Sequence, residues 1–436
     1  MLQNIKKLIA LDNPLRLFYH LVRAVIANLI YGFPSKNMVV IWVTWTNWKS
    51  TTTNIIARWL KESWKKVFMF STINYFIWDK EYRNDYKMTS PDVFVLQKLL
   101  YEAKKEWCEY AVIETASHWI LMNRVWWIEY DIAVLTNITQ DHLDLHWTME
   151  NYVRTKLKLF KGLISNARKP NVKKTAVINI ESAYKELFLS ETYDVLTTYW
   201  LDYQSNLKPT NIQNELEYTS FEVKIPDDIL HIKTKLRWKH NIYNILWAIW
   251  VFLSLWIKTR IIENSILNIE SVPGRLEEVE NEEWFKIFID YAHTADALEK
   301  TLWTLKEIKW INKIITVFWA TWDRDKTKRP IMWEIVSKMS DVVILTQDDD
   351  YTEKPENIIK DILPWISRVQ WNDFWIIIDR ESAIRTAMLK AEKNDVILIA
   401  WKWDEHVMVT NDWIIPYNDK EVTLKILKEI DDNKIV

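Results

Sequence analysis

Val39-Val40-Ile41-Trp42-Val43-Thr44-Trp45-Thr46-Asn47-Trp48-Lys49-Ser50-Thr51 is the stretch that decides the fold. The apolar run from Met38 to Val43 reads as a buried strand, and Ser50 to Ser63 reads as the helix that follows it. Between them lies a short polar loop ending in Lys-Ser-Thr. That order is the context of a phosphate-binding loop. Backbone N–H groups at the start of the helix face the anion, and the helix dipole favours negative charge there. Lys49 would reach the β- and γ-phosphates, and the Ser50 hydroxyl would face Mg2+. The backbone can approach phosphate this closely only where side chains are absent, so glycine is needed at positions 45 and 48. Tryptophan stands at both.

The composition resolves this conflict. The chain of 436 residues has 3 glycines and 28 tryptophans, whereas the usual share of about 7% would give roughly 30 glycines. Tryptophan also follows Asn47 and Asp412, and Asn-Gly and Asp-Gly are the usual tight-turn pairs because glycine reaches positive φ without a Cβ clash. The simplest account is a genetic code in which UGA specifies glycine, rendered here as tryptophan. A few of the 28 can be genuine. If all were genuine, the loop would be blocked and the chain would be an inactive binding protein.

Outward from the loop, the length calls for two or three domains. A net charge of −2, with 57 Lys+Arg against 59 Asp+Glu and no basic block, gives no support for nucleic acid as partner. The single cysteine, Cys108, excludes an internal disulfide framework and fits a reducing, cytoplasmic setting. Short apolar strands at Tyr110–Ile113 and Ile132–Leu135 continue the strand–helix alternation, which argues a parallel sheet flanked by helices. The polar run from Tyr203 to Thr219 reads as an excursion. A boundary near Ser271-Val272-Pro273-Gly274 opens a second α/β alternation, with strands at Phe285–Ile289, Ile314–Phe318, Val342–Leu345, Ile376–Ile378 and Val396–Ile399. The expected parts are an N-terminal helical segment (1–36), a central P-loop domain (37–270) and a C-terminal Rossmann-like domain (271–436). The apolar stretch Phe18–Tyr31 is too short for a membrane span of about 20 residues. It reads either as an amphipathic helix packed on the next domain or as one lying on a membrane surface.

With glycine at 45 and 48, positions 45–51 resemble the ATP loop of the Mur ligases, the enzymes that build the peptidoglycan stem peptide. Further segments agree in order: Ile113-Glu114-Thr115-Ala116-Ser117-His118, Thr136 to Asp144, His146 to Glu150 with Tyr152 to Lys156, Leu236 to Asn241 with Asn244, Asp290 to Thr294, Trp322 to Lys326, and Trp401 to Glu405. The resemblance spans about residues 38–425 and is nearest to the tripeptide-synthetase branch, which adds the third stem residue to UDP-N-acetylmuramoyl-L-alanyl-D-glutamate.

The resemblance implies an ATP-dependent ligase that joins an amino acid to a muramoyl-peptide carboxylate through an acyl phosphate, with ATP and Mg2+. It implies Lys49, Glu114, His142 and Lys156 as catalytic residues. Metal binding falls to Ser50, Glu114, His142 and Lys156, with Lys156 carbamylated. ATP would be held by Trp45, Thr46, Asn47, Trp48, Lys49, Ser50 and Thr51, by Asn137, by His240, Asn241 and Asn244 on the adenine side, and by Arg275, Asp290 and His293. The muramoyl-peptide would meet Thr89, Ser90, Ser117 and Arg124. Each assignment also has a plain structural reading, as a salt-bridged acid for Glu114, a cap for His142 or an exposed helix lysine for Lys156.

The chain departs from that branch in three ways, the least of them Asp404, which stands where the family usually has His. The loop arrives by Lys49, which leaves no room before it for the usual UDP-holding domain; either residues 1–36 substitute for it or the substrate carries another anchor, such as a lipid. At the amino-acid selector, diaminopimelate-adding relatives carry Asp-Asn-Pro-Arg, where this chain has Asp348-Asp349-Asp350-Tyr351. Those acids, with Glu405, open the choice to a cationic side chain such as lysine. Folylpolyglutamate synthase, a related amide ligase, is the alternative enzyme.

Overall fold

The protein was studied as a computed structural model, which describes all residues except 1–12, 45–48, 85, 87–88, 90, 136–137, 139–142, 181, 200–206, 216–217, 226–227, 237–238, 270–271, 273–274, 309–310, 320–327, 350–354, 366–367, 369, 371, 403–406, 410–413 and 435–436. The chain forms two compact units, Met1–Glu270 and Ser271–Val436.

The first unit is built on eight strands: β1 (Val39–Thr44), β2 (Val67–Phe70), β3 (Asn74–Ile77), β4 (Lys80–Arg83), β5 (Tyr110–Thr115), β6 (Ile132–Leu135), β7 (Thr175–Asn179) and β8 (Val195–Tyr199). Their order is β4-β3-β2-β5-β1-β6-β7-β8. Six run parallel, while β3 and β4 turn back antiparallel at one edge. Strands buried on both faces read as continuous apolar runs: every residue of β5 is buried, as are all of β1 beyond Val39. The helices are α1 (Pro14–Tyr31), α2 (Lys49–Glu62), α3 (Val93–Lys105), α4 (Ser117–Leu121), α5 (Leu143–His146), α6 (Met149–Ser165), α7 (Lys185–Leu189), α8 (Lys239–Ser254) and α9 (Thr259–Ile266).

β1 lies between β5 and β6, and the chain leaves it toward β2 on one side and reaches β6 on the other. The carboxyl end of β1 is therefore at the point where strand order reverses, where open parallel sheets bind ligands. The opposite end of the sheet is held by a buried ion cluster. Asp131 accepts from Lys169 at 2.6 Å, from Lys174 at 3.0 Å and from the Val40 amide at 2.9 Å. Of the polar run read as an excursion, Pro209–Asn214 forms β9, which with β10 (Thr219–Ile225) and β11 (Asp228–Thr234), beyond that run, makes a three-stranded antiparallel sheet.

The second unit contains β12 (Glu277–Val279), β13 (Lys286–Asp290), β14 (Ile314–Phe318), β15 (Val342–Leu345), β16 (Phe374–Ile376) and β17 (Val396–Ala400), ordered β12-β13-β17-β14-β15-β16. All pairs are parallel except β12 with β13. A small hairpin, β18 (Val407–Val409) with β19 (Ile414–Pro416), completes the strands. Its helices are α10 (Ala295–Lys306), α11 (Lys328–Met339), α12 (Pro355–Ile362), α13 (Arg380–Lys390) and α14 (Asp419–Lys434). The strand expected at Ile376–Ile378 sits two residues earlier, because Phe374 and Trp375 fill the core slots beside β15. A buried bidentate pair, Arg380 to Asp419 at 2.8 Å through both Nε and Nη2, ties α13 to α14.

The backbone at the tryptophans is unusual. Among the described residues, seven of the thirteen non-glycine residues with positive φ are Trp64, Trp78, Trp107, Trp127, Trp147, Trp256 and Trp401. Such φ values cost an L side chain roughly 1–2 kcal/mol and suit glycine. Trp64 is 90% exposed and Trp107 80% exposed. The buried indoles of Trp42, Trp119 and Trp319 leave their N–H groups without a hydrogen-bond acceptor, a deficit of about 1–3 kcal/mol each.

Candidate functional site

In the first unit the expected site residues gather at the carboxyl ends of β1 and β5. The sheet register sets Val43 opposite Glu114 and Thr44 opposite Thr115. The Thr44 hydroxyl donates to the Thr115 carbonyl at 3.1 Å. Lys156, fully buried on α6, brings its Nζ to 3.4 Å from the same Thr44 hydroxyl and lies 4.7 Å over the Tyr152 ring. One turn of helix separates Tyr152 from Lys156, so both face the strand ends together.

Glu114 is 1% exposed. Thr72, in the connection from β2 to β3, donates its amide to one carboxylate oxygen at 2.7 Å and its hydroxyl to the other at 2.8 Å. Each oxygen keeps a second lone-pair site, so the carboxylate remains able to ligate a cation. Ser50 and Thr51 are buried at the first turn of α2, and the Thr51 hydroxyl has no hydrogen-bond partner. A buried hydroxyl of that kind, beside the start of a helix, suits an incoming anion. Lys49 opens α2. The donors present thus fit a nucleotide phosphate with Mg2+. Among the described residues no group of three or more His, Cys, Asp or Glu is assembled.

Two further contacts extend the site. Ser117, first residue of α4, pairs with His146 Nε2 at 2.9 Å, and His146 packs on Tyr152 at 5.1 Å between ring centroids. Asn244 on α8 accepts from the Thr52 hydroxyl at 3.1 Å and donates to Asn241 at 2.9 Å. The expected adenine-side segment is therefore fastened to the helix that follows the loop. Thr72, Tyr152 and Thr52 were not among the expected residues, since their roles arise only when strands and helices pack. His146 stood in a motif, and its spacing from Ser117 carried no sign of the contact.

Arg124 lies elsewhere in this unit, on the side of α1. Burial lowers its pKa first, with the charges of Arg23 and Arg16 adding to that and Asp92 opposing it. Its guanidinium carbon is 5.8 Å from the Trp119 ring centroid. Thr89 sits in the bend between β4 and α3. Trp45, Thr46, Asn47, Trp48, Ser90, Asn137, His142, Tyr351 and Glu405 lie outside the described residues, as does the side chain of His240.

In the second unit Asp290 ends β13 and is 8% exposed. It accepts from the Leu276 amide at 2.6 Å and the Thr301 hydroxyl at 3.3 Å. Burial pushes its carboxyl above the usual range, against the pull of Arg275 and these donors. Arg275 rests 4.8 Å over the Tyr291 ring, and His293 Nδ1 is 2.9 Å from the Tyr291 carbonyl.

Lys402, fully buried after β17, contacts Asp348 at 2.7 Å and Asp349 at 2.9 Å. The acids expected to attract a cationic amino acid already share a cation within their own domain. Lys402 offsets part of their charge, which weakens the electrostatic case for lysine.

Comparison with known proteins places this geometry. Residues 43–252 match the Mur ligase middle domain, and residues 274–400 match the Mur ligase, glutamate ligase domain. The chain is 35% identical to UDP-N-acetylmuramoyl-L-alanyl-D-glutamate–2,6-diaminopimelate ligase 1 of Clostridium acetobutylicum, covering 93% of this chain and 82% of that one. It is 34% identical to UDP-N-acetylmuramyl-tripeptide synthetase 2 of Oceanobacillus iheyensis, covering 93% and 81%. Among solved structures, a UDP-N-acetylmuramoyl-L-alanyl-D-glutamate–2,6-diaminopimelate ligase superposes with TM-score 0.63 at 25% identity, over 90% of this chain and 79% of that one. Folylpolyglutamate synthase of Mycobacterium tuberculosis reaches TM-score 0.71 at 16% identity, over 87% and 92%, a likeness of fold. With both domain matches in order and relatives above 30% identity along nearly the whole chain, the protein belongs to the Mur ligase family.

Proposed function

We propose that the chain is an ATP-dependent ligase of peptidoglycan precursor synthesis, adding an amino acid to UDP-N-acetylmuramoyl-L-alanyl-D-glutamate or a close analogue. The observation that carries the reading is that Lys156 reaches the Thr44 hydroxyl at the carboxyl end of β1, next to the end of β5 that carries the buried Glu114. The folate alternative is not favoured, because the relatives above 30% identity are muramoyl-peptide ligases whereas the folylpolyglutamate synthase shares only the fold. The reading requires glycine in the functional chain at 45 and 48. The positive φ of seven other tryptophans supports glycine at UGA codons generally. The division into 1–36, 37–270 and 271–436 belongs to the same reading, as does residence in the cytoplasm with peripheral membrane contact through residues 1–36.

Lys49 would neutralise the phosphates, while Ser50, Glu114, His142 and Lys156, the last as its carbamate, would hold Mg2+. When bound, the metal would supply positive charge to the phosphoryl oxygens. An oxygen of the acceptor carboxylate attacks the γ-phosphorus, ADP departs, and an acyl phosphate results. The amine nitrogen of the incoming amino acid then attacks the acyl carbon, a tetrahedral intermediate expels phosphate, and the nitrogen loses a proton to leave an amide. Asn137, His240, Asn241 and Asn244 would hold the adenosine side, with Arg275, Asp290 and His293 supplied by the second unit. Thr89, Ser90, Ser117 and Arg124 would hold the muramoyl-peptide, and Asp348, Tyr351 and Glu405 the incoming amino acid. Phosphate release with the muramoyl-dipeptide, against folate and across a panel including lysine and diaminopimelate, tests this. Release dependent on folate and not on the muramoyl-dipeptide would overturn it.

A further inference from the structure

Helix α1 is built the wrong way round for an ordinary surface helix. Asn13 caps it by accepting from the Leu15 amide at 3.0 Å, and Pro14 occupies its first turn. Its buried positions are His20, Ala24, Ala27 and Asn28, small or polar residues packed toward α3. Its large apolar residues point outward: Leu15 is 80% exposed, Phe18 63%, Ile26 42%, Leu29 61% and Ile30 64%. Together with Val22, 37% exposed, these recur at intervals of three, four, seven and eight residues, which is one continuous face of a helix. An exposed apolar stripe of this kind marks an interaction surface.

Charge selects the occupant. The helix has no acidic residue; Arg16 and Arg23, seven positions apart, lie along the same border of the stripe. Arg124 stands close enough to both for their charges to act on it. The nearby carboxylate is Asp92, which pairs with Arg23 at 2.8 Å and also caps α3 through the Phe94 amide at 3.1 Å. In the sequence before the helix stand Lys6 and Lys7, with Asp12 four positions before Arg16. Among the described residues no helix is long and apolar enough to cross a membrane. A second copy pairing α1 on α1 would bring arginines together with no acid on either helix to offset them.

We propose that the outward face of α1 lies on an anionic lipid bilayer, its large apolar side chains entering the acyl boundary and Arg16 and Arg23 meeting lipid phosphates. This deepens the membrane contact in the functional reading by naming its face and its lipid chemistry. It does not depend on the codon assignment, because α1 contains no tryptophan.

The test is co-sedimentation of the full chain with phosphatidylcholine vesicles, with and without phosphatidylglycerol. The chain is expected to pellet with the anionic vesicles, with affinity roughly tenfold or more above that for phosphatidylcholine alone, and to be released by high salt. Phe18→Glu with Ile26→Glu should remain in the supernatant with an unchanged circular dichroism spectrum, and Leu29→Glu serves as an independent second variant. No pelleting with anionic vesicles, pelleting unaffected by these variants, or a dimer that the variants dissociate would each overturn the proposal. Phosphate release with soluble muramoyl-dipeptide, followed in the same samples, separates the two readings. With glycine at positions 45 and 48, a chain that pellets without releasing phosphate overturns the ligase and supports the docking face, and one that releases phosphate without pelleting does the reverse.

Discussion

The amine of Lys156 stands 3.4 Å from the hydroxyl of Thr44, which in turn donates to the carbonyl of Thr115. A residue on α6 is thereby bound to the strand that launches the phosphate loop, 112 positions away in the chain. Lys156→Ala should lower kcat by about 100-fold or more, the scale of losing one preorganised charge partner. Steady-state phosphate release measures it. Short carboxylic acids added to the variant should restore part of the rate if the native group is a carbamate.

Glu114 is oriented by Thr72 through two hydrogen bonds. Glu114→Gln keeps the shape and removes the charge, so the Mg2+ concentration for half-maximal activity should rise by about 10–100-fold. Thr72→Val leaves the amide donor and deletes the hydroxyl, and should move the same midpoint in the same direction by less. A Mg2+ titration of phosphate release reads both.

Arg380 and Asp419 form a fully buried pair joining α13 and α14. Asp419→Asn leaves an uncompensated guanidinium and should cost about 3–5 kcal/mol of stability, whereas Arg380→Met with Asp419→Leu should recover most of it. Urea unfolding of the three proteins checks the order.

His20 is on the buried side of α1, and its pKa is held down to about 4 by burial first and then by the charges of Arg124, Arg16 and Arg23. In the unfolded chain its pKa is about 6.5. The folded state therefore favours the neutral ring. Its stabilisation is complete above about pH 6.5 and is lost as pH falls toward 4. The thermal midpoint should decline across that window, and His20→Gln should flatten the decline.

Much of this was legible in the sequence. The strands at Ile132–Leu135, Ile314–Phe318 and Val342–Leu345 have the bounds read from their apolar runs, because parallel strands buried on both faces leave an uninterrupted signature. Lys156 and Glu114 could be named from the motifs. Thr72 could not, since it is an ordinary residue until tertiary packing assigns it, and Tyr152 stood in a motif with no sign of its contact with Lys156. The charge of Asp348 and Asp349 was read as available for a ligand, and Lys402 already occupies it. A lysine 53 positions away in the chain gives no local sign of that pairing.

The tryptophans at positive φ give a stability test that needs no substrate. Replacing Trp64, Trp107, Trp147 and Trp256 by glycine should raise the thermal midpoint, since each site sheds roughly 1–2 kcal/mol of left-handed backbone cost. A lower midpoint would count against glycine at these codons.

Acceptor-dependent phosphate release by the chain carrying glycine at its UGA codons tests the central claim most directly. The account predicts release with ATP, the muramoyl-dipeptide and an amino acid together, and none when tryptophan occupies positions 45 and 48. Absence of release with every acceptor, or equal release by the tryptophan form, would contradict it.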